Sequence, residues 1–551
     1  MALAFCGRLF SLQIINGEEF VRQADRQYLR SSTTFFNRGS IYFTNRDGTL
    51  VPAATLNQAY PLSINPQLIN SPESTYQDLS QFIDLDKERF ISQAEHPTRV
   101  YIKIKDDLGQ ETASEISALG LRGVSIQNKK ERFYPAENLA SHTLGFMAYN
   151  NDVFAGQYGL EKYYDEVLDH GQVGTFASYF SDTFLRPAQN IFASDQSKKE
   201  GDLILTLEPV IQNKLENTMT DVVEKRQASG AGAIIMDPGT GDIIAMTAKP
   251  DFNPGHPQAD ISLLTNPLIE RVFEMGSTVK ALTIAAGLDA GVIKRDDTYN
   301  DLGQVTINNR TMSNHDRRAR GVVDMQTVLN HSLNTGAIHI MQKMVQDKFR
   351  DYFLGFGLGE PTGIDLPGEV GGLVNNLYSS REVEYATASF GQGIALTPMG
   401  SVRAFGALAN NGQLVKPRSV KAIRDKNGQI REREVVNQGQ VISRQAADEI
   451  TTMLVNAVDE ALLGGQAALD RYSVAAKTGT AQMPLTDRRG YDPDRYLHAF
   501  FGYYPAYDPR FVGYFYLIDP KEVRWASDSL TEPFMETAKF ILDYYEVPPD
   551  R

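Results

Sequence analysis

The 551-residue chain has one cysteine, Cys6, so no disulfide can form within it and no cysteine-rich metal site is available. Its 8 histidines are scattered. None stands in the His-Glu-x-x-His spacing that sets two imidazoles on one helical face, which argues against a zinc enzyme. Acidic residues outnumber basic ones, 68 to 54, for a formal net charge of −14. That balance offers no basic face to a phosphate backbone, so no nucleic acid is expected as a partner. A long hydrophobic run is also missing. Met1 to Ile15 is apolar apart from Gly7, Arg8, Ser11 and Gln13, which is shorter than the roughly 20 residues that cross a bilayer. It lacks the basic n-region and small-residue cleavage site of a signal peptide. Residues 1–16 read either as an amphipathic surface helix or as the outer end of a membrane anchor. No internal repeat or low-complexity segment interrupts the chain.

Against those absences stand 42% apolar and 10% aromatic residues, the composition of a folded protein. The length exceeds one compact core and predicts two or three domains. Residues 17–225 form the first. Glu18 to Leu29 has helical spacing and charges throughout. Arg38 to Tyr42, a turn at Arg46-Asp47-Gly48, then Leu50 and Val51 predict strand, turn and strand. Further strands are expected over Val100 to Ile104, Val124 to Ile126 and Arg132 to Pro135, and a helix over Glu111 to Leu119 ended by Gly120. The acidic cluster from Gly159 to Glu166 reads as a solvated helix face. Nothing in this half pairs a nucleophile with a base, so it reads as a spacer or docking module.

A boundary falls where Gln227-Ala228-Ser229-Gly230 follows an amphipathic helix over Val210 to Val223, leaving residues 226–551 as the second domain. Gly232 to Met236 and Ile243 to Met246, joined by Asp237-Pro238-Gly239-Thr240-Gly241-Asp242, predict a hairpin whose strands are buried on both faces. Helices follow, and Phe511 to Ile518 returns as a strand. The fold class expected is α+β, with an antiparallel sheet covered by helices in the C-terminal half.

Three polar clusters lie in this half. Ser277-Thr278-Val279-Lys280 is a turn feeding an apolar helix; a spacing of three sets the hydroxyl and the amine on one face. A serine needs a neighbouring base, and a lysine can be that base when burial or nearby cations lower its pKa. In Ser332-Leu333-Asn334 a hydroxyl and an amide two residues apart can point at one place from a loop; helix capping is the ordinary alternative. In Lys477-Thr478-Gly479-Thr480 an apolar strand edge ends in a cation, two hydroxyls and a glycine. On a strand, Lys477 and Gly479 share one side and the threonines the other. Gly479 would let a ligand backbone lie close; a turn after an edge strand is the plainer reading.

Taken in order, the three clusters resemble the signature motifs of the penicillin-binding proteins and serine β-lactamases. The Gly232 to Met246 hairpin, Phe390-Gly391-Gln392-Gly393, the run from Gly357 to Glu369, and His498 to Pro505 resemble further landmarks of that family. Arg38-Gly39, Gly120 to Val124, Arg132 to Pro135 and Gly159-Leu160-Glu161 resemble the non-catalytic pedestal of its class B, high-molecular-mass enzymes. Met275 stands where that family commonly has proline.

The resemblance implies a β-lactamase/transpeptidase-like catalytic domain on an elongated α+β pedestal, in a bacterial membrane protein whose catalytic domain lies outside the cytoplasm. It implies a D,D-transpeptidase that cross-links peptidoglycan stem peptides in division or elongation and binds β-lactam antibiotics. Ser277 would be the nucleophile, Lys280 its base and Ser332 a proton relay. Asn334, Lys477, Thr478, Gly479 and Thr480 would bind substrate, with no metal or organic cofactor. A membrane glycan polymerase and division or elongation proteins are the partners implied. Two other readings are a carboxypeptidase- or β-lactamase-type hydrolase, marked by a short-lived penicilloyl adduct, and a non-catalytic scaffold or sensor, marked by an unreactive serine.

Overall fold

The computed structural model describes residues 37–150, 153–170, 200–257, 260–485, 488 and 490–551. The expected anchor or surface helix at residues 1–16, and the helix over Glu18 to Leu29, lie outside the described residues. The chain folds into two compact units, one containing residues 54–133 and the other residues 41–53, 134–165 and 202–551.

In the first unit, Leu62–Ile64 is the middle strand of a three-stranded antiparallel sheet, between Ile102–Lys105 and Val124–Ile126. Helices Pro72–Leu79, Lys87–Ala94 and Gln110–Ala118 accompany it. Ser71 and Asp86 cap the first two by accepting from the amides of Ser74 and Arg89. The core is small: Leu62, Ile64, Leu79, Phe90, Ile102 and Ile116. A second ladder pairs Thr55 to Ala59 with Phe133 to Lys129. The strands and helix foreseen here are present to within a few residues.

The second unit is built on a five-stranded antiparallel sheet. Its strands are β1 (Gly230–Met236), β2 (Ile243–Lys249), β3 (Ala475–Pro484), β4 (Tyr491–Tyr504) and β5 (Phe511–Ile518), in the spatial order β2-β1-β5-β4-β3. Every residue of β1 is buried, because helices cover both faces, as the unbroken apolar runs require. One face carries α1 (Pro209–Arg226) and the last helix, α6 (Ala526–Tyr544). Phe534 of α6 lies among Phe500, Tyr504 and Phe515, with ring centroids 4.5, 5.9 and 5.1 Å away. Truncating such a residue to alanine costs about 3–5 kcal/mol. Against the other face α4 (Pro398–Ala409) stacks Phe405 on Phe501 at 3.9 Å. Beside it run α2 (Lys280–Asp289), α3 (Asn334–Met344) and α5 (Arg444–Asn456). Because β3 ends the sheet, its outer edge is unpaired within this sheet.

The Asp47-Gly48 turn forms, with the Gly48 amide donating to Asn45. Strand Ile41–Thr44 also pairs in parallel with Gly201–Leu205, a long-range partner that local pattern cannot reveal. The acidic cluster differs from expectation. Glu161 is fully buried and accepts from the Tyr134 hydroxyl, and Asp165 accepts from the Gly156 amide, so two of its carboxylates organise the chain instead of facing water. In the glycine-rich run near residue 360, Glu369 accepts from the amides of Thr362 and Gly363. The loop amides are thereby satisfied from within the chain.

Candidate active site

The turn that carries Ser277 is tighter than an α-helix. Gly276–Val279 is a 3₁₀ turn, and α2 starts at Lys280, whose amide donates to the carbonyl of Ser277. Residues three apart eclipse in a 3₁₀ turn, which aligns Ser277 with Lys280. Gly276 has φ +56°, and its amide donates to Gly391 at 3.2 Å. Met275 is buried, and Tyr514 donates its hydroxyl to the Met275 sulfur. Thr278 turns inward, fully buried, to donate to the Met275 carbonyl at 2.9 Å. The side chain of Ser277 is thereby left on the outer side, lining a cavity of about 440 Å³.

Lys280 is fully buried, and its Nζ lies 2.5 Å from the carbonyl oxygen and 3.1 Å from the hydroxyl of Ser332. Ser332 holds a left-handed backbone, φ +52°, which costs a non-glycine residue about 1 kcal/mol or more. The cost coincides with a gain: this conformation lets both oxygens of one residue grip one nitrogen. The capping alternative fails, because α3 begins without any side-chain cap. Asn334 opens α3 and donates from Nδ2 to the Ser313 carbonyl at 2.8 Å; it is not among the residues lining the cavity. Behind it, the fully buried Asp301 accepts from Gly303, Asn314, Arg320 and Thr335, tying the 301–320 segment to the start of α3.

Lys477, Thr478, Gly479 and Thr480 lie on β3, with Lys477 and Gly479 buried and the two threonines partly open to the cavity. The structure gives Gly479 a reason that its sequence did not suggest. A Cβ there would stand 2.4 Å from the Met275 carbonyl oxygen, so the glycine admits the turn that carries Ser277. Thr480 Oγ1 accepts from the Ala526 amide at 3.0 Å, which leaves its hydroxyl proton free to donate into the cavity. Burial depresses both lysines. Lys280 falls well below the ordinary lysine value, helped by the positive charge of Lys477, while Lys477 falls to about 8. The arrangement sets a low-pKa amine, bonded to Ser332, one turn from Ser277 at the wall of a polar cavity, the groups that nucleophilic acyl transfer needs.

Residues 231–538 match the family described as the penicillin binding protein transpeptidase domain, and residues 35–178 match the penicillin-binding protein dimerisation domain. The chain belongs to the class B penicillin-binding proteins. It is 30% identical over 524 residues to stage V sporulation protein D of Bacillus subtilis, covering 93% of this chain and 79% of that one. It is 26% identical over 547 residues to the peptidoglycan D,D-transpeptidase FtsI of Escherichia coli, covering 97% and 88%. Penicillin binding protein 2X from Streptococcus thermophilus shares its fold, with a TM-score of 0.74 and 21% identity over 94% of this chain and 81% of that one. Its activity is that of a serine-type peptidoglycan D,D-transpeptidase of cell-wall synthesis.

In this penicillin-binding protein the cavity also takes walls from segments that carry no signature motif. His315 and Arg320 come from the 314–320 loop, Leu462 and Leu463 from the segment after α5, and Trp525 and Ser527 from the start of α6. The His315 and Trp525 rings meet edge to face at 5.4 Å. Trp525 is the chain's only tryptophan, and that rarity was the one local signal that could have marked it. Among the described residues no helix is long and apolar enough to cross a membrane, and no cluster of three or more His, Cys, Asp or Glu side chains could hold a metal.

Proposed function

We propose that Ser277 is the acylated nucleophile, Lys280 the base that activates it and Ser332 the proton relay. The observation that carries this reading is the seat of Lys280. A neutral amine has two N–H groups and one lone pair. With both N–H groups directed at the carbonyl and hydroxyl of Ser332, the lone pair is left for the Ser277 proton. Ser277 Oγ then attacks the carbonyl of the penultimate D-alanine of a stem peptide as its proton moves to Lys280 Nζ. The backbone amides of Ser277 and Thr480 receive the developing oxyanion, a contribution of roughly 3 kcal/mol per donor. The proton passes through Ser332 to the leaving amine, and the terminal D-alanine departs. An amine from a second stem peptide attacks the ester, its proton returns along the same path, and Ser277 is regenerated with a new cross-link formed.

Lys477, Thr478 and the hydroxyl of Thr480 bind the terminal carboxylate region, and Asn334 holds the substrate amide. Gly479 serves them by letting the nucleophile turn dock on β3. Residues 226–551 carry the catalysis, and residues 17–225 act as the pedestal. The protein is held at the bacterial membrane through its N-terminal segment, with the catalytic domain outside the cytoplasm. It works beside a membrane glycan polymerase and division or elongation proteins. The direct test is intact-mass spectrometry after treatment with benzylpenicillin. Wild type should gain one penicilloyl group that persists for hours, and Ser277→Ala should gain none; labelling of the alanine variant would overturn the assignment.

A further inference from the structure

The motif residues account for the end of the substrate that carries the terminal carboxylate, but not for the peptide on the other side of the scissile bond. An extended peptide can run along β3, whose outer edge is unpaired within the five-stranded sheet. With its terminus at Lys477 and Thr478, it advances about 3.3 Å per residue and passes Thr480 next. The amide of Ala526 is bonded to Thr480 Oγ1, so the wall met immediately beyond Thr480 is Trp525.

Arg524 stands over that wall, its guanidinium carbon 5.0 Å from the centroid of the Trp525 ring. It is exposed and has no carboxylate partner among the described residues. Other cations in this part of the structure are committed. Arg320 is paired with Asp316 at 2.7 Å, Arg495 and Lys521 with Asp519 at 3.0 and 2.9 Å, and Lys477 is buried under the cavity. The backbone that presents Arg524 is fixed. Its carbonyl accepts from His498 Nε2 at 3.1 Å, and the other ring nitrogen accepts from Ser529 at 2.7 Å. His498 sits opposite Thr480 in the β3–β4 ladder, so the arginine keeps register with the substrate-binding strand. The indole is also held by the edge-to-face contact with His315.

We propose that Arg524, carried on the ring of Trp525, is an anion subsite that selects acyl donors bearing a carboxylate on the peptide upstream of the scissile bond. The planar guanidinium offers a carboxylate two parallel N–H groups, and stacking on an indole restricts its rotation before the ligand arrives. This subsite rests on the assignment of Ser277 and Lys477 given above, because that assignment fixes the direction in which the peptide runs.

The test compares benzylpenicillin with carbenicillin, which differs by one carboxylate on the side chain attached to the acyl group. Second-order acylation constants are measured for the full chain and for Arg524→Gln, Arg524→Lys and Trp525→Leu. In Arg524→Gln the carbenicillin constant should fall about fivefold relative to benzylpenicillin, the size of a partly exposed charge-assisted contact, with benzylpenicillin within about twofold of wild type. Arg524→Lys should retain part of the preference, and Trp525→Leu should lose it. Added salt should weaken the wild-type preference and leave that of Arg524→Gln unchanged. An unchanged ratio, or an equal fall for both drugs, overturns the subsite. Failure of wild type to react with benzylpenicillin overturns the Ser277 assignment and the subsite with it.

Discussion

Replacing Gly479 with alanine is a sharp probe of how the nucleophile is held. The new Cβ would lie 2.4 Å from the Met275 carbonyl oxygen, 3.0 Å from Cγ2 of Thr278 and 3.1 Å from the Thr278 amide nitrogen. An ordinary carbon–oxygen contact is about 3.3–3.6 Å, so the nucleophile turn must retreat from β3 by roughly 1 Å. Two of the three obstacles are backbone, and no rotamer change can relieve them. Overpacking of this kind costs about 1–3 kcal/mol, and a 1 Å misplacement of reacting groups costs on the order of 100-fold in rate. Stopped-flow acylation by a fluorescent penicillin should therefore show a chemical step slowed about 100-fold with little change in the preceding binding constant. Thermal unfolding without ligand should occur a few degrees lower, about 2–5 °C. A ligand-clearance role for the glycine predicts the opposite pair: weaker binding and an unaltered melting temperature. That outcome, or acylation within threefold of wild type, would refute the turn-docking account.

Acylation should rise with pH through the depressed Lys280 pKa, because the neutral amine is the reactive form, and decline above about pH 8 as Lys477 loses its charge. In Lys477→Met the acid limb of the chemical step should move to higher pH, since the positive neighbour that favours neutral Lys280 is gone; a stationary limb would exclude that coupling. Ser332→Ala and Ser332→Gly should both slow acylation by about 10²–10⁴. Only the glycine variant escapes the cost of φ +52°, so it should be the more stable of the two by about 1 kcal/mol in denaturant titration.

What the sequence made legible was local. Ser277 and Lys280 sit one turn apart because the spacing lies within a single turn. The β1–β2 hairpin and the antiparallel sheet follow from unbroken apolar runs and a Pro-Gly turn. Features set by long-range contact were not legible. Glu161 belongs to a segment rich in charge, and only the approach of Tyr134 explains its burial. Gly479 reads as clearance for a ligand until Met275, some two hundred residues earlier in the chain, arrives against it. His315 and Arg320 reach the cavity from one loop and Trp525 from another some two hundred residues later, and no spacing rule connects them.

Around Ser277 the backbone of Gly391 lies against Gly276, and those of Met275 and Gly276 lie against Gly479 and Thr480, with almost nothing between them. A Cβ on Gly391 would lie 2.1 Å from the Gly276 carbonyl oxygen, and one on Gly276 would lie 3.0 Å from that of Thr480. At such a junction there are few side chains for mutation to exchange. Drug pressure on this enzyme would then find little room to retune the centre and would accumulate its changes along the mouth of the cleft.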